Sequence, residues 1–310
     1  MDFDFKPVKS LGQNFLLDMN IAGKIVREAN IGPHDLVIEI GPGMGALTMH
    51  IAGKPGWLVA VEIDARLARM LAQSLQGFSC WTILQQDILK LDLRSGIMEG
   101  VIREAKNGCL GECPDPLFEG EKGSRGIKVI ANLPYYITTP VIMKFFEEAP
   151  RVPDLMLLMV QREVADRLAA VPGTKAYGAL SIAAQVRMQI KKIMNVPPSC
   201  FRPTPGVDSC VIRFEARREP LFPMPDPSLY FRIVKAAFGQ RRKTLANALT
   251  NAPDMGMDRQ QISMLLAKAD IDPVRRGESL SPAEFGMIAQ QYASWQQYAR
   301  TGEQSHESEA

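Results

Sequence analysis

The sequence predicts an α/β fold, a mostly parallel sheet with helices on both faces, followed by a small all-helical C-terminal domain. Three observations predict it. The first two-thirds of the chain alternates short aliphatic runs with amphipathic segments, the pattern of strands joined by crossover helices. A proline cluster, "REPLFPMPDPS" from Arg218 to Ser228, then interrupts that rhythm as a stiff linker would. Beyond it the apolar segments have helical spacing. At 310 residues the chain also exceeds the roughly 150 residues of an average domain.

Taken in order, residues 36–40 (LVIEI), 57–61 (WLVAV), 81–84 (WTIL), 128–131 (KVIA) and 155–160 (LMLLMV) read as buried strands, too short for core helices. Residues 64–75 (DARLARMLAQSL) place apolar side chains at helical spacing, and 139–148 (TPVIMKFFEE) opens with a proline suited to a first helical turn. Residues 210–214 (CVIRF) read as a late strand pairing antiparallel at the sheet edge. The connection 92–126 is too long for a compact α/β unit, so a surface insertion with one short helix around 97–105 is expected. Helices are expected at 229–238, 260–269 and 281–295. The domains expected are 1–218 with its insertion, a small helical domain at 219–300, and a polar, disordered tail at 301–310.

Composition narrows the class. With 46% hydrophobic and 23% charged residues and a net charge of +2, the chain reads as an ordinary globular protein without the global charge of a nucleic-acid binder. Positive surface must come from local clusters: Arg241, Arg242 and Lys243, and a second set of Arg187, Lys191, Lys192 and Arg202. The opening "MDFDFKPVKS" has no apolar core of a secretory signal, and no apolar run reaches the roughly 18 residues of a membrane span, so a cytoplasmic protein without membrane contact is expected. Five cysteines form no CxxC pair and three histidines form no HExxH, so reduced thiols and no metal are expected. Nothing demands more than a monomer.

Chemistry concentrates at strand ends. In "VIEIGPGMGALT", Gly41, Gly43 and Gly45 follow a strand and precede a helical segment, where glycine lets the backbone turn tightly and a ligand approach. The spacing suits a nicotinamide dinucleotide or S-adenosylmethionine equally. Glu62 ends the next strand at the roughly 20-residue separation where a carboxylate accepts from ribose hydroxyls, and Asp87 follows the third strand, placed for an adenine amino group.

The fourth strand ends in "NLPY". An exocyclic adenine amine is a poor nucleophile because its lone pair is delocalised into the ring. Acceptors aimed at its two N–H groups draw that pair toward a methyl donor. The Asn132 side-chain oxygen and the Leu133 carbonyl can be those acceptors, Pro134 holds Leu133 extended and so aims its carbonyl, and Tyr135 offers a flat face for the base.

This tetrapeptide resembles the (Asn/Asp)-Pro-Pro-(Tyr/Phe) motif of amino-group methyltransferases, with leucine second. Together with "SLGQNFL" (10–16), "IEIGPGMGALT", "FRPTPGVDS" (201–209), "KAYGALS" (175–181) and "AAFGQRRKTLANAL" (236–249), it is similar to the ribosomal RNA adenine dimethyltransferases, most of all their small-subunit, kasugamycin-resistance branch. The resemblance implies a Rossmann-like class I methyltransferase domain, S-adenosylmethionine as methyl donor, and dimethylation of N6 on two adjacent adenosines in the 3′-terminal hairpin of small-subunit ribosomal RNA, with the small ribosomal subunit as partner. It implies cofactor contacts from Asn14, Leu16, Gly41, Glu62, Asp87 and Asn132, with Gly43 beside them in the loop. It implies a target-base site of Asn132, Leu133, Pro134, Tyr135 and Phe201. RNA contacts are expected from Arg202, Arg241, Arg242 and Lys243. The 92–126 insertion departs from the family. Three alternatives remain: a large-subunit adenine-N6 methyltransferase, a non-catalytic ribosome-assembly factor on the same fold, and a nicotinamide oxidoreductase, which leaves NLPY unexplained.

Overall fold

A computed structural model of the chain describes residues 7–8, 11–93, 95, 97, 126–149, 151–224 and 226–307. The chain divides into two compact units, 1–165 with 189–216, and 166–188 with 217–310. Residues 166–188 thus belong to the second unit, whereas a boundary at 218 assigned them to the first. The elements run β1 (Phe15–Leu16), α1 (Met19–Glu28), β2 (Leu36–Ile40), α2 (Thr48–Ile51), β3 (Trp57–Glu62), α3 (Ala65–Ser74), β4 (Trp81–Gln85), β5 (Ile127–Asn132), α4 (Thr138–Glu147), β6 (Leu155–Gln161) and α5 (Arg162–Leu168). They continue with α6 (Ala179–Arg187), β7 (Met188–Val196), β8 (Phe201–Arg202), β9 (Ser209–Ala216), α7 (Pro227–Gly239), α8 (Leu245–Thr250), α9 (Arg259–Lys268) and α10 (Pro282–Glu307).

The first unit is built on a seven-stranded sheet of order β4-β3-β2-β5-β6-β9-β7. β4, β3, β2, β5 and β6 pair in parallel, and β9 runs antiparallel to β6. Strands covered on both faces are buried along their whole length, so LVIEI and WLVAVE are apolar at every position but Glu39 and Glu62. On one face Val37, Leu58, Ile130, Leu157 and Val211 meet Ile25 and Val26 of α1 and Ile51 of α2. On the other, Phe146 of α4 meets Phe214 edge-on with centroids 6.5 Å apart, and Phe214 stands opposite Met156 in register. α1 starts at Asp18, whose carboxylate accepts from the Asn20 and Ile21 N–H groups.

The five expected strands lie within β2 to β6, which are one residue longer at one end in β3, β4 and β6 and at both ends in β5. The late strand is longer than expected, and it is not at the edge: β7 lies outside it. β7 (MQIKKIMNV) carries exposed Lys191 and Lys192, the charged side chains that guard a sheet edge, and those lysines made it read as a basic cluster. Apart from helical Ile97, the helix expected around 97–105 and the insertion from 98 to 125 lie outside the described residues.

The second unit packs α6 to α10 around Tyr177, Tyr230, Ile233, Leu249, Leu266 and Phe285. Two of its helices, α7 and α9, are capped by aspartates: Asp226 accepts from the N–H groups of Ser228 and Leu229, and Asp258 with Gln261 forms a capping box. The proline cluster is less of a spacer than expected, because Phe222 and Met224 pack on this core. α10 reaches Glu307, into the tail expected to be disordered, since Trp295 to Glu307 contains no proline to stop it. No helix among the described residues is long and apolar enough to cross a membrane.

Candidate active site

The sheet changes winding direction between β2 and β5, and a crevice opens beyond their carboxyl ends, where open α/β sheets bind ligands. It is lined by the glycine turn, Glu62 and Asp87 at the ends of β3 and β4, Asn132 to Tyr135 after β5, and residues 11–16 of the N-terminal segment. The expected cofactor residues Asn14, Leu16, Gly41, Gly43, Glu62, Asp87 and Asn132 all face this one space.

The glycine turn leaves β2 with Gly41 and Gly43 at φ of +63° and +57°, a region that L side chains rarely adopt. Gly43 has a second constraint: a Cβ there would stand 3.0 Å from the ring of Phe15, so the N-terminal segment lies directly on the turn. The turn is tied to β3, because the Gly41 N–H donates to the Val61 carbonyl at 2.9 Å.

Glu62 holds the next corner. It is buried, and its two oxygens accept from the backbone N–H groups of Gly43 (3.1 Å) and Asp64 (2.9 Å). A carboxylate offers about four acceptor positions, so two remain for a vicinal diol. Burial pushes the Glu62 carboxyl above the usual range, and the two N–H groups pull it back. Asp64 beside it is held at about 2, chiefly by the Arg66 guanidinium, and accepts a long hydrogen bond from Gln13 (3.5 Å). Asp87 accepts from the Leu89 N–H through Oδ1 (2.9 Å).

At the end of β5 the Asn132 amide donates to the main-chain carbonyl of Asn14 (2.9 Å). That bond uses one of the two N–H groups of the amide and sets which end faces the N-terminal segment, so Oδ1 remains for a ligand donor. The Leu133 N–H donates to Met159 at 3.3 Å, anchoring the turn, and Pro134 leads into a 3₁₀ turn over Tyr135–Ile137. The Tyr135 hydroxyl pairs with the Ser209 hydroxyl at 2.8 Å, which holds the ring at the crevice wall. The Asn14 carbonyl has no sequence signal, because main-chain acceptors leave no residue type behind.

Two of the expected contacts, Phe201 and Arg241, have partners of their own in the fold, and so does Arg187 of the second basic set. Phe201 is 3% exposed, packs with Leu16 in the core beneath β1, and does not line the crevice. β8 is antiparallel to β1, and Phe201 stands opposite Leu16, which itself reaches the crevice. Arg241 is engaged within its own unit, donating to Glu278 at 2.8 Å and to the Lys175 and Tyr177 carbonyls. Arg187 lies 4.4 Å from the Phe231 ring centroid. Arg202, Arg242 and Lys243 are exposed. Among the described residues no three His, Cys, Asp or Glu side chains are grouped to hold a metal.

One buried carboxyl is not among the residues expected at the site. Glu39, in the middle of β2, is 1% exposed; the Thr48 hydroxyl is its polar neighbour, but neither carboxyl oxygen has a hydrogen bond of good geometry. Burial pushes its pKa up to about 8, the charge of Glu62 adds to the rise, and Thr48 opposes it. The folded chain therefore keeps a proton that the unfolded chain releases above about pH 4.5, so stability falls as pH rises from there to about 8, by at most about 1.4 kcal/mol per unit. Denaturant unfolding at pH 5, 7 and 9 should show this loss in the wild type and a flatter dependence in Glu39→Gln. Equal slopes in the two proteins would remove Glu39 from that role.

Comparison with known proteins agrees with this geometry. The sequence matches the ribosomal RNA adenine dimethylase family over residues 4–289. It is 44% identical over 94% of its length to a ribosomal RNA small subunit methyltransferase A of Alkaliphilus oremlandii, covering 93% of that relative, and 46% identical over 93% to one of Geobacillus kaustophilus, covering 90% of it. Among solved structures, a dimethyladenosine transferase from Plasmodium falciparum superposes with a TM-score of 0.69 at 20% identity, over 88% of this chain and 95% of that one. The 23S rRNA methyltransferase ErmE gives 0.62 at 21% identity, over 90% and 99%. These two support the fold alone. The match over nearly the whole sequence, together with relatives above 40% identity, places this chain in the ribosomal RNA adenine dimethylase family.

Proposed function

We propose that the chain transfers methyl groups from S-adenosylmethionine to N6 of two adjacent adenosines in the 3′-terminal hairpin of small-subunit ribosomal RNA, giving N6,N6-dimethyladenosine while that subunit is assembled. The observation that carries the reading is the Asn132 amide, turned by the Asn14 carbonyl so that its oxygen is the free end, in a crevice that also holds the Glu62 and Asp87 carboxylates. An oxidoreductase has no use for that amide.

The residues present fit the donor. The remaining acceptor positions of Glu62 suit the ribose diol, the second oxygen of Asp87 suits an adenine amino group, and Ile63 and Ile88 supply apolar walls between them. S-adenosylmethionine supplies an electrophilic methyl on a sulfonium.

The chain's own work is orientation. Asn132 Oδ1 and the Leu133 carbonyl accept from the two N–H groups of the target amine, and its lone pair is thereby turned out of the ring plane. Tyr135, pinned through Ser209, presents a face to the base. Extracting a base from its stack costs a few kcal/mol, and aromatic stacking returns about 1 to 3 kcal/mol. Methyl transfer leaves the nitrogen cationic, and its proton is then acidic enough to pass to water, so no strong base is required. Holding nitrogen and methyl about 3 to 3.5 Å apart supplies most of the acceleration.

Phosphate contacts come from Arg202, Arg242 and Lys243. Neutralising Arg242 and Lys243 together is expected to weaken small-subunit binding and to reduce the slope of log affinity against log salt by about 1 to 2. Arg241→Gln instead should lower the stability of the second unit, because it strips Glu278 and two carbonyls of their donor. A salt slope unchanged in the double variant would remove both residues from the interface.

The function is tested by supplying labelled S-adenosylmethionine with undermethylated small or large subunits in parallel. Label in small subunits alone is expected; label in large subunits alone would move the chain to the other branch.

A further inference from the structure

We propose that Tyr136 forms a second base subsite at the mouth of the crevice, stacking on the nucleotide that flanks the target adenine. The inference rests on the adenine reading above and adds the neighbouring residue of the strand to it.

Tyr136 lines the same crevice as Asn132 and Tyr135, yet its side chain is 61% exposed. A ring that exposed gains little from burial, so packing does not account for it. Residues 135–137 form a 3₁₀ turn, in which successive side chains point about 120° apart. Tyr135 is turned to Ser209 by that geometry, and Tyr136 is turned outward toward the N-terminal segment.

The seat beneath the ring is specific. Gly12 has φ of +58°, and a Cβ built on it would stand 3.0 Å from Cε1 and 3.2 Å from Cδ1 of Tyr136, with Pro134 Cβ 3.6 Å away. A side chain at position 12 would be strained by the positive φ and would press on the ring. The same segment carries the Asn14 carbonyl that orients Asn132, so the ring is seated on the piece of chain that sets the acceptor at the target amine. An aromatic seated along one edge and open to solvent elsewhere, beside a base pocket, matches how single-stranded RNA is held: one base after another on a π-face, tolerant of base identity. Tyrosine also loses little rotamer freedom on binding, having two side-chain torsions.

The test uses the full chain and a labelled oligoribonucleotide with one adenosine flanked by guanosines, compared with forms abasic at the 5′ or the 3′ flank, by fluorescence anisotropy. The wild type should bind the intact oligonucleotide roughly tenfold more tightly than one of the abasic forms. Tyr136→Ala should lose that preference, Tyr136→Phe and Tyr136→Trp should keep it, and Tyr136→Leu should not. Preference retained in the alanine variant, or restored as well by leucine as by phenylalanine, would overturn the subsite. This preference is read without methyl transfer, so a wild type that binds with it but labels neither subunit would sink the functional reading and leave the subsite standing.

Discussion

Replacing Asn132 by alanine is expected to lower methyl transfer by about a hundred- to a thousandfold, the range seen when one preorganised polar partner of a reacting group is deleted. Binding of S-adenosylmethionine should fall much less, because Glu62, Asp87 and the glycine turn are untouched. The aspartate variant sharpens the point. A carboxylate can still accept from the target amine, but it cannot donate to the Asn14 carbonyl, so it loses the bond that aims it. Asn132→Asp should therefore fall between alanine and wild type in turnover. Single-turnover rates and cofactor titration of the two variants check this, and an aspartate variant at wild-type rate would show that the Asn14 bond does not matter.

The second large effect is expected at Glu62. Its carboxylate holds Gly43 and Asp64 before any ligand arrives, so Glu62→Ala removes both the ribose acceptors and the anchor of the glycine turn. Hydrogen bonds to a charged group contribute about 1.5 to 3 kcal/mol each, so cofactor affinity should drop about a hundredfold and thermal stability should drop with it. Glu62→Gln keeps the shape but turns one acceptor into a donor facing a backbone N–H. It should recover part of the stability and less of the affinity. Calorimetric titration beside thermal melts separates the two losses, and an alanine variant with unchanged affinity would place the ribose elsewhere.

Much of this site was legible because strand ends advertise themselves. Glu62 and Asp87 are charges at the end of aliphatic runs, and Asn132 with Pro134 ends a buried strand in residues that a strand does not favour. What could not be read was whatever depended on partners distant in sequence or on main chain. The acceptor that turns Asn132 is a backbone carbonyl 118 residues away. Phe201 is buried beside Leu16, a position that its place in FRP does not reveal. Arg241 looked like one of three equal cations, and only folding brought Glu278 to it. β7 was hidden by its own lysines, which serve an edge strand and break the aliphatic pattern that marks a central one. Glu39 does carry a signal in the sequence, because a carboxyl inside an otherwise aliphatic strand is costly to bury.

The account stands most directly on where the methyl groups go. Undermethylated small subunits incubated with the chain and S-adenosylmethionine, followed by nuclease digestion of the 3′-terminal hairpin and mass spectrometry of the fragments, should give two adjacent N6,N6-dimethyladenosines. Methylation confined to another atom or another base, or none at all with the donor bound, would contradict it.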